Sequence, residues 1–258
     1  MKKCDCPLCK FNNPRPTNSA IIIKDGKLLL AKRVKEPFKG EWDFFGGYVE
    51  AGESIGESLK REVREELGVD SEISYIGSFS GTASYEDFTY PVLNFAYLTE
   101  LKGEFRLDKK ENSELKWVPI ADVKDIAFDS NKKILKFIKE KFVYNWEDIK
   151  KLVSQLDSTA EVKEQSFYKA VLFGYIAKVE ENGRLLGMGW AYPRQTILRN
   201  QAIVEDMIVD ESQRGKGLGE KILLDLIAQG KKDGVEVFEL TTNPKRIAAN
   251  GLYQKVGF

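Results

Sequence analysis

The segment at residues 47–69, GYVEAGESIGESLKREVREELGV, constrains the fold of this chain more than any other feature. Ser54 and Glu57 have the spacing of a capping box, which starts a helix, and Gly68 supplies the residue type that ends one. Between these caps, the apolar side chains recur at every fourth position: Ile55, Leu59, Val63 and Leu67. The segment therefore predicts an amphipathic helix that packs one face on a core.

Strands alternate with helices along both halves of the chain. In the first half, the pattern predicts strands at 20–24, 27–31, 72–79, 92–98 and 116–119, with helices at 54–67 and 132–142. In the second half, it predicts helices at 146–156, 217–229 and 246–255, with strands at 172–179, 184–191, 203–209 and 235–240. This alternation favours two α/β sandwiches, and 258 residues suit two domains of about 100–150 residues.

Charge and hydropathy exclude several function classes. Forty Lys and Arg balance forty Asp and Glu, so we expect no nucleic-acid partner. No apolar run approaches the roughly 18 residues of a membrane span, and MKKCDCPLCK lacks the apolar stretch of a signal peptide. We therefore expect a cytoplasmic protein without a membrane partner. The absence of histidine leaves Glu, Asp, Tyr, Lys, Cys or water as general acid or base.

Three glutamates of the predicted helix, Glu62, Glu65 and Glu66, lie at positions i, i+3 and i+4 and so share one strip of its surface. Their negative charges repel each other beside a buried face unless a cation lies among them. Carboxylate oxygens select hard ions, Mg²⁺ first and Mn²⁺ second. For any single glutamate, a solvated acidic helix face is an equally good interpretation, with Glu57 and Arg61 as an ordinary ion pair.

The segment as a whole resembles the Nudix box, and residues 18–142 resemble a Nudix hydrolase domain. The resemblance implies an α/β/α sandwich with a mixed sheet. It also implies Mg²⁺- or Mn²⁺-dependent hydrolysis of a nucleoside diphosphate derivative, a small-molecule substrate such as ADP-ribose or NADH. The metal would be held by the carbonyl of Gly47 and the carboxylates of Glu62, Glu65 and Glu66. Arg61 and Glu53 would pair and fix the loop that presents this carbonyl.

The residue that activates water varies within this family. Glu65 and Glu66 are candidates, and so are the loop residues Glu111 and Glu114. Arg33 and Lys35 are candidate phosphate contacts, although solvated surface cations are the more common case. Several aromatic residues could stack on a base or ribose but fit core packing better, namely Tyr48, Phe79, Tyr85, Phe88 and Tyr90.

The arm at residues 1–17 carries all three cysteines of the chain, Cys4, Cys6 and Cys9. The Cys6-x-x-Cys9 spacing supplies half of a zinc site, but a closed site needs four ligands and no histidine or second cysteine pair exists. The arm resembles the end of the zinc ribbon that precedes some Nudix domains. Reduced surface thiols are the expectation that we prefer.

A second motif follows the predicted strand at 203–209. The run Arg214-Gly215-Lys216-Gly217-Leu218-Gly219 is a glycine-rich turn that opens a helix. Such a turn exposes unpaired N–H groups at the positive end of the helix dipole, which suits a pyrophosphate. The spacing matches neither the Walker motif nor the dinucleotide fingerprint.

Together with LTTNPKRIAANGLYQKVGF at 240–258, this motif resembles the GNAT acyltransferases over residues 146–258. The resemblance implies a GNAT α/β domain with a mixed sheet. It implies N-acyl transfer from acetyl-CoA or another acyl-CoA to an amine that the sequence does not identify. The cofactor-binding residues would be Met207, Ile208, Val209, Arg214, Gly215, Lys216, Gly217, Leu218, Gly219 and Asn250. Tyr253 would protonate the leaving thiolate. Glu205 is our candidate base and Glu239 the second, with a structural role equally compatible for each.

GNAT family members continue for one or two strands beyond the Gly-Phe pair at which this sequence stops. Either the sequence is truncated, or the sheet lacks its last strands and leaves an edge that a second copy pairs with in a homodimer.

Two alternatives to a bifunctional enzyme remain open at this point. In one, the Nudix half senses a nucleotide without hydrolysing it and regulates the acyltransferase. In the other, the C-terminal half binds acyl-CoA without transferring the acyl group.

Overall fold

The computed structural model describes residues 12–85, 88–110 and 112–258, apart from the side chain of Tyr85. The three cysteines and Glu111 lie outside the described residues. The chain divides into two compact units, with Val143 ending the first and Tyr144 beginning the second. Within the described part of the chain, no helix has both the length and the apolar character to cross a membrane.

The first unit contains seven strands and two helices among its described residues. In chain order these are β1 (Arg15–Ile21), β2 (Ile23–Lys24), β3 (Lys27–Arg33), β4 (Trp42–Asp43), α1 (Ile55–Leu67), β5 (Ser71–Tyr85), β6 (Phe88–Leu101), β7 (Asn112–Pro119) and α2 (Asp129–Phe142). One sheet has the order β1-β6-β5, with β1 parallel to β6 and β5 antiparallel to it. A second sheet joins β2, β3 and β4, and β7 pairs with β3. The sheet that contains β6 is therefore mixed, as predicted.

Helix α1 closes one side of this unit because its apolar face is buried from Leu59 onward, while Ile55 in the first turn is partly exposed. Leu59, Val63 and Leu67 are each 0% exposed and pack with Leu29 and Phe45 of the strand layer. Burying a large aliphatic side chain contributes about 1.5–3 kcal/mol, so this face holds the helix firmly in place. The adjoining strip of the same helix carries the acidic residues, and packing thus fixes where they lie.

The second unit contains four strands and four helices among its described residues. They are α3 (Trp146–Leu156), α4 (Glu164–Phe173), β8 (Tyr175–Glu181), β9 (Arg184–Gln195), β10 (Asn200–Val209), α5 (Leu218–Lys232), β11 (Val237–Leu240) and α6 (Ile247–Val256). The sheet order is β11-β10-β9-β8, and only the β10–β11 pair is parallel. Helix α5 buries Ile222, Leu223 and Leu226 against this mixed sheet. The predicted mixed α/β class is therefore confirmed for both units.

Helix α4 is absent from the sequence prediction, and the predicted strand at 172–179 is wrong at its start. Leu172 and Phe173 end the helix, and β8 begins at Tyr175. The helix buries Tyr168 and Val171, three positions apart, which is a helical spacing. Its run of apolar and aromatic residues leads directly into the strand, so periodicity alone does not separate the two elements.

Candidate active sites

Helix α1 begins and ends at the residues that the sequence indicates. Ser54 Oγ accepts a hydrogen bond from the Glu57 amide at 3.3 Å, and the Ser54 amide donates to Glu57 Oε2 at 2.8 Å. At the other end, Gly68 has a φ of 67°, in the left-handed region, and its amide donates to the Arg64 carbonyl. The positions of the glutamates between these caps are therefore fixed along the helix axis.

The guanidinium of Arg61 connects the helix to the loop that precedes it. Its Nη2 and Nε donate to the two oxygens of Glu53 at 2.8 and 3.1 Å, and its Nη1 donates to Glu62 at 3.0 Å and to Glu65 at 3.2 Å. The Arg61 hydrogen bond is the main cause that lowers the pKa of Glu53 from 4.5 to about 2. Glu53 also accepts from the amide of Glu50 at 2.7 Å, so the loop is tied down at two points.

Gly47 lies directly against the carboxylate of Glu62. A Cβ atom at this position would overlap Glu62 Oε1, so a larger residue would displace this carboxylate. The amide of Gly47 donates to Asn18 Oδ1 at 3.2 Å, and its carbonyl accepts from the Asn18 amide at 2.9 Å. One lone pair of this carbonyl is therefore already used by β1, and the second lone pair is the one that a ligand can share.

Glu66 is the most buried of the three glutamates. It is 6% exposed, its Oε1 accepts from the Gly46 amide at 2.9 Å, and its Oε2 accepts from the Asn112 side chain. Burial, together with the charges of Glu62 and Asp43, raises the pKa of Glu66 from 4.5 to about 8. An ionised carboxylate at this position is costly without a nearby positive charge.

These glutamates share one cavity of about 750 Å³ with the glycines and several polar side chains. Among the described residues, no three acidic or cysteine side chains are gathered into a ready metal cluster. Glu62 and Glu65 instead form ion pairs with Arg61, from which both carboxylates accept hydrogen bonds. The donor set nevertheless fits a hard divalent cation, because three carboxylates border one cavity and the buried Glu66 forms no ion pair with a described residue.

The opposite wall of this cavity contains residues that the sequence prediction missed. Asp43 is 4% exposed and binds Arg33 at 3.2 Å and Asn131 at 2.6 Å. Burial raises the pKa of Asp43 from 3.8 to about 7, while the charge of Arg33 acts in the opposite direction. Asn94 and Ser19 continue this hydrogen-bonded wall. Single polar residues on separate elements form no motif, so no sequence signal brings them together.

Of the predicted phosphate contacts, Arg33 and Lys35 both line the cavity, as does the unpredicted Lys110. Glu114 is not among the lining residues and pairs with Lys32 at 3.6 Å.

The predicted aromatic residues divide between the cavity and other surroundings. Tyr48 and Tyr90 line the cavity, and their hydroxyls lie 2.6 Å apart. Phe79 instead packs against Phe137 at a ring distance of 6.0 Å, and Phe88 is 53% exposed. Of the aromatic residues predicted from the sequence whose side chains are described, Tyr48 and Tyr90 are therefore the two that could contact a flat group in the cavity.

The glycine-rich turn of the second unit borders a separate cavity of about 650 Å³. Gly215 and Gly217 have φ values of 78° and 77°, a region in which other residues are strained, and α5 begins directly after them. Most of the predicted cofactor residues line this cavity: Met207, Ile208, Val209, Arg214, Gly215, Gly217, Leu218 and Gly219. Lys216 and Asn250 are not among the lining residues, and Asn250 donates to the carbonyls of Asn243 and Pro244.

A bulge in β10 opens the sheet at this cavity. The pairing with β9 shifts between Glu205 and Ile208, and Asp206 has a φ of 47°. On the other side of the bulge, a cavity of about 540 Å³ is lined by Glu205 and Asp206 and shares Met207 and Tyr253 with the first. Burial raises the pKa of Tyr253, so its hydroxyl keeps its proton at neutral pH.

Glu239, the second candidate base, accepts a hydrogen bond from Gln201 at 3.0 Å and lines neither cavity.

Comparison with known proteins identifies both halves. The model of the NUDIX domain matches residues 14–139, and the model of the acetyltransferase (GNAT) family matches residues 140–258. An ADP-ribose pyrophosphatase of Methanocaldococcus jannaschii is 30% identical over 132 residues, which are 51% of this chain and 77% of that protein. The nucleoside triphosphatase NudI of Escherichia coli O17:K52:H18 is 35% identical over 121 residues, 43% of this chain and 84% of that protein.

The chain also matches a CTP pyrophosphohydrolase of Escherichia coli over 46% of that protein and an NAD-capped RNA hydrolase NudC of Vibrio atlanticus over 44% of that protein. Among solved structures, a MutT NUDIX hydrolase from Burkholderia pseudomallei shares 25% identity with a TM-score of 0.43, covering 48% of this chain and 97% of that one. The matches to the two family models confirm the two resemblances seen in the sequence. The chain belongs to the Nudix family through its first half and carries a domain of the GNAT acetyltransferase family in its second half.

Proposed function

We propose that this chain is a bifunctional enzyme. Its Nudix half hydrolyses the diphosphate bridge of a nucleoside diphosphate derivative, with ADP-ribose as the first candidate, and its GNAT half transfers an acyl group from acetyl-CoA to an amine. The observation that carries the hydrolase proposal is the single cavity that contains Glu62, Glu65, Glu66 and the cations Arg33 and Lys35. The name of the Methanocaldococcus jannaschii relative supports the choice of substrate.

In this proposal, Mg²⁺ would be held by the carboxylates of Glu62, Glu65 and Glu66 and the free lone pair of the Gly47 carbonyl. When bound, the ion neutralises charge on the diphosphate and on the leaving phosphate. The protein contributes the positions of these ligands, which α1 packing and the Arg61–Glu53 pair fix in advance. Arg33 and Lys35 would bind the phosphate oxygens from the opposite wall.

Glu65 is our first candidate for the base that activates water. Its side chain is 59% exposed, and one of its oxygens accepts a hydrogen bond from Arg61 at 3.2 Å. Both oxygens of Glu66 already accept hydrogen bonds, from Gly46 and Asn112, so Glu66 is better suited to hold metal than to move a proton. The two roles predict different kinetics: loss of Glu65 lowers kcat, whereas loss of Glu66 weakens the affinity for Mg²⁺.

The test is a hydrolysis screen of nucleoside diphosphate derivatives with the full chain, with and without Mg²⁺, in which the released mononucleotide is measured. We expect Glu65→Gln to lower kcat by at least about a hundredfold, with a smaller rise in the Mg²⁺ requirement than Glu66→Gln causes. Glu66→Gln should raise the Mg²⁺ concentration needed for activity. Glu72→Gln is the matched control, because Glu72 is exposed and pairs with Lys102 at 3.1 Å outside the cavity. Tight ADP-ribose binding without hydrolysis would instead support the nucleotide sensor.

For the GNAT half, the pyrophosphate of acyl-CoA would bind the amides from Arg214 to Gly219, and the pantetheine arm would pair with Met207–Val209 at the bulge. The amine would enter from the cavity that Glu205 lines, where Glu205 accepts its proton. Tyr253, shared by both cavities, would donate a proton to the leaving thiolate. Thiol release from acetyl-CoA in the presence of a panel of amines and lysine peptides tests this half. Acetyl-CoA binding without acyl transfer would show that the half only binds the cofactor.

A further inference from the structure

One buried acceptor in the wall of the Nudix cavity has no partner among the described residues. Asn94, on β6, is 4% exposed and lines the cavity together with Ser19 and Asn131. Its Oδ1 is buried and accepts no hydrogen bond. Buried amide oxygens in folded proteins nearly always accept a hydrogen bond. A bound ligand could supply the hydrogen-bond donor that Asn94 Oδ1 lacks.

The surrounding hydrogen bonds fix which atom of Asn94 is left over. Asp43 Oδ1 accepts from the backbone amide of Phe44 at 3.0 Å, so it also acts as acceptor for the Asn131 side chain at 2.6 Å. The Asn131 group that faces Asp43 is therefore Nδ2, and Asn131 Oδ1 faces Asn94.

Asn94 Nδ2 then donates to Asn131 Oδ1 at 2.7 Å and to Ser19 Oγ at 2.9 Å. Both N–H bonds of this amide are used, and rotating the amide would place two acceptors against each other. These two donated hydrogen bonds are sufficient to hold the Asn94 side chain in place. The side-chain oxygen of Asn94 takes no part in them.

The other residues that line the cavity indicate the shape of a ligand that could donate a hydrogen bond to Asn94 Oδ1. Phe44, Phe128, Tyr48 and Tyr90 line the same cavity, and a volume of about 750 Å³ is within the range of small-molecule sites. Aromatic side chains favour a flat ring between them. A flat ring that also carries an N–H group matches both features of the wall.

We infer that Asn94 is a specificity-determining residue that accepts a hydrogen bond from an exocyclic amino group on the base of the substrate. This inference rests on the proposed hydrolase function and narrows its substrate class to derivatives of amino-bearing bases, such as adenine or cytosine. The corresponding oxo bases, hypoxanthine and uracil, present an oxygen at that position, which repels the oxygen of Asn94.

The experiment compares matched substrates that differ only in this group: ADP-ribose against its hypoxanthine analogue, and a cytidine diphosphate sugar against its uridine counterpart. We expect the protein to favour the amino-bearing member by at least about tenfold in kcat/KM, mostly through KM. Asn94→Leu should remove this preference, by raising KM for the amino-bearing member and relieving the repulsion of the oxo member. Glu72→Gln, which alters an exposed residue outside the cavity, should retain the preference.

Equal kcat/KM for both members of each pair in the unmodified protein overturns the inference and leaves the hydrolase proposal intact, whether or not the variants fold. If no compound is hydrolysed, equilibrium binding of the same pairs decides. Tighter binding of the amino-bearing member then supports the inference while the hydrolase proposal fails. Equal binding, or none, overturns both.

Discussion

The buried carboxylate of Glu66 predicts an unusual pH dependence of stability in the metal-free protein. Its pKa lies at about 8 in the folded chain against an ordinary 4.5. Between these values the folded protein keeps a proton that the unfolded chain has released, so stability falls as the pH rises. At about 1.36 kcal/mol per pKa unit, the full effect is about 5 kcal/mol, an upper limit because the surroundings relax.

Asp43 acts in the same direction, but mainly below about pH 7. From pH 7 to 8 Glu66 contributes the larger part, because Asp43 is already half ionised at pH 7 whereas Glu66 is half ionised only at about pH 8. The full chain would be unfolded in a calorimeter in the presence of a chelator. In the transition of the unit that contains Glu66, the free energy of unfolding should decrease from pH 7 to 8. Glu66→Gln should remove most of the decrease, and Glu65→Gln, which alters a largely exposed side chain, should keep it.

Mg²⁺ should reverse the effect, because a bound cation favours the ionised form of Glu66. In the unmodified protein, we expect Mg²⁺ to stabilise this transition more at pH 8 than at pH 6, and Glu66→Gln should lose most of that stabilisation. Metal-free stability that stays constant or increases from pH 7 to 8, or a decrease that is undiminished in Glu66→Gln, would show that Glu66 does not retain a proton in the folded protein.

Three further predictions concern single positions. Gly47→Ala places a Cβ against the Glu62 carboxylate and should lower hydrolysis about a hundredfold while acyl transfer is unchanged, as steady-state rates of both reactions will show. Asp210 is 3% exposed and accepts a hydrogen bond from Lys151 at 2.8 Å. The substitution Asp210→Asn should lower the free energy of unfolding by about 2 kcal/mol at pH 7. Because these contacts lower the pKa of Asp210 from 3.8, that cost should shrink as the pH falls below this value; an undiminished cost in denaturation at pH 2–3 would contradict it. Tyr253→Phe should lower kcat of acyl transfer about a hundredfold with an unchanged KM for acetyl-CoA, and an equal kcat would exclude proton donation by Tyr253.

Local sequence signals account for the parts of the fold that depend on neighbouring residues. The capping pair and the apolar residues at every fourth position predict the bounds of α1 to within one residue. Both signals depend only on residues within one or two helical turns of each other. The glycine-rich turn before α5 is predicted for the same reason. Helix α4 is missed because its apolar run continues into β8, and the choice between helix and strand there depends on tertiary packing.

The two walls of the Nudix cavity differ in the same way. One wall derives from a single helix and its preceding loop, so a contiguous motif identifies Glu62, Glu65 and Glu66. The other wall brings Asp43 and Asn94 together from separate strands. No spacing in the sequence encodes that juxtaposition, which only the sheet pairing produces.

The most direct test of the account is whether Mg²⁺ and Glu66 together enable this chain to cleave a diphosphate bridge. Purified protein at an enzyme concentration above that of ADP-ribose would be mixed with Mg²⁺ and the nucleotide products separated over time. We predict stoichiometric release of AMP with Mg²⁺, none with a chelator, and strongly reduced release by Glu66→Gln at the same Mg²⁺ concentration. AMP release that is equally fast in Glu66→Gln, or that persists in the chelator, would contradict the account.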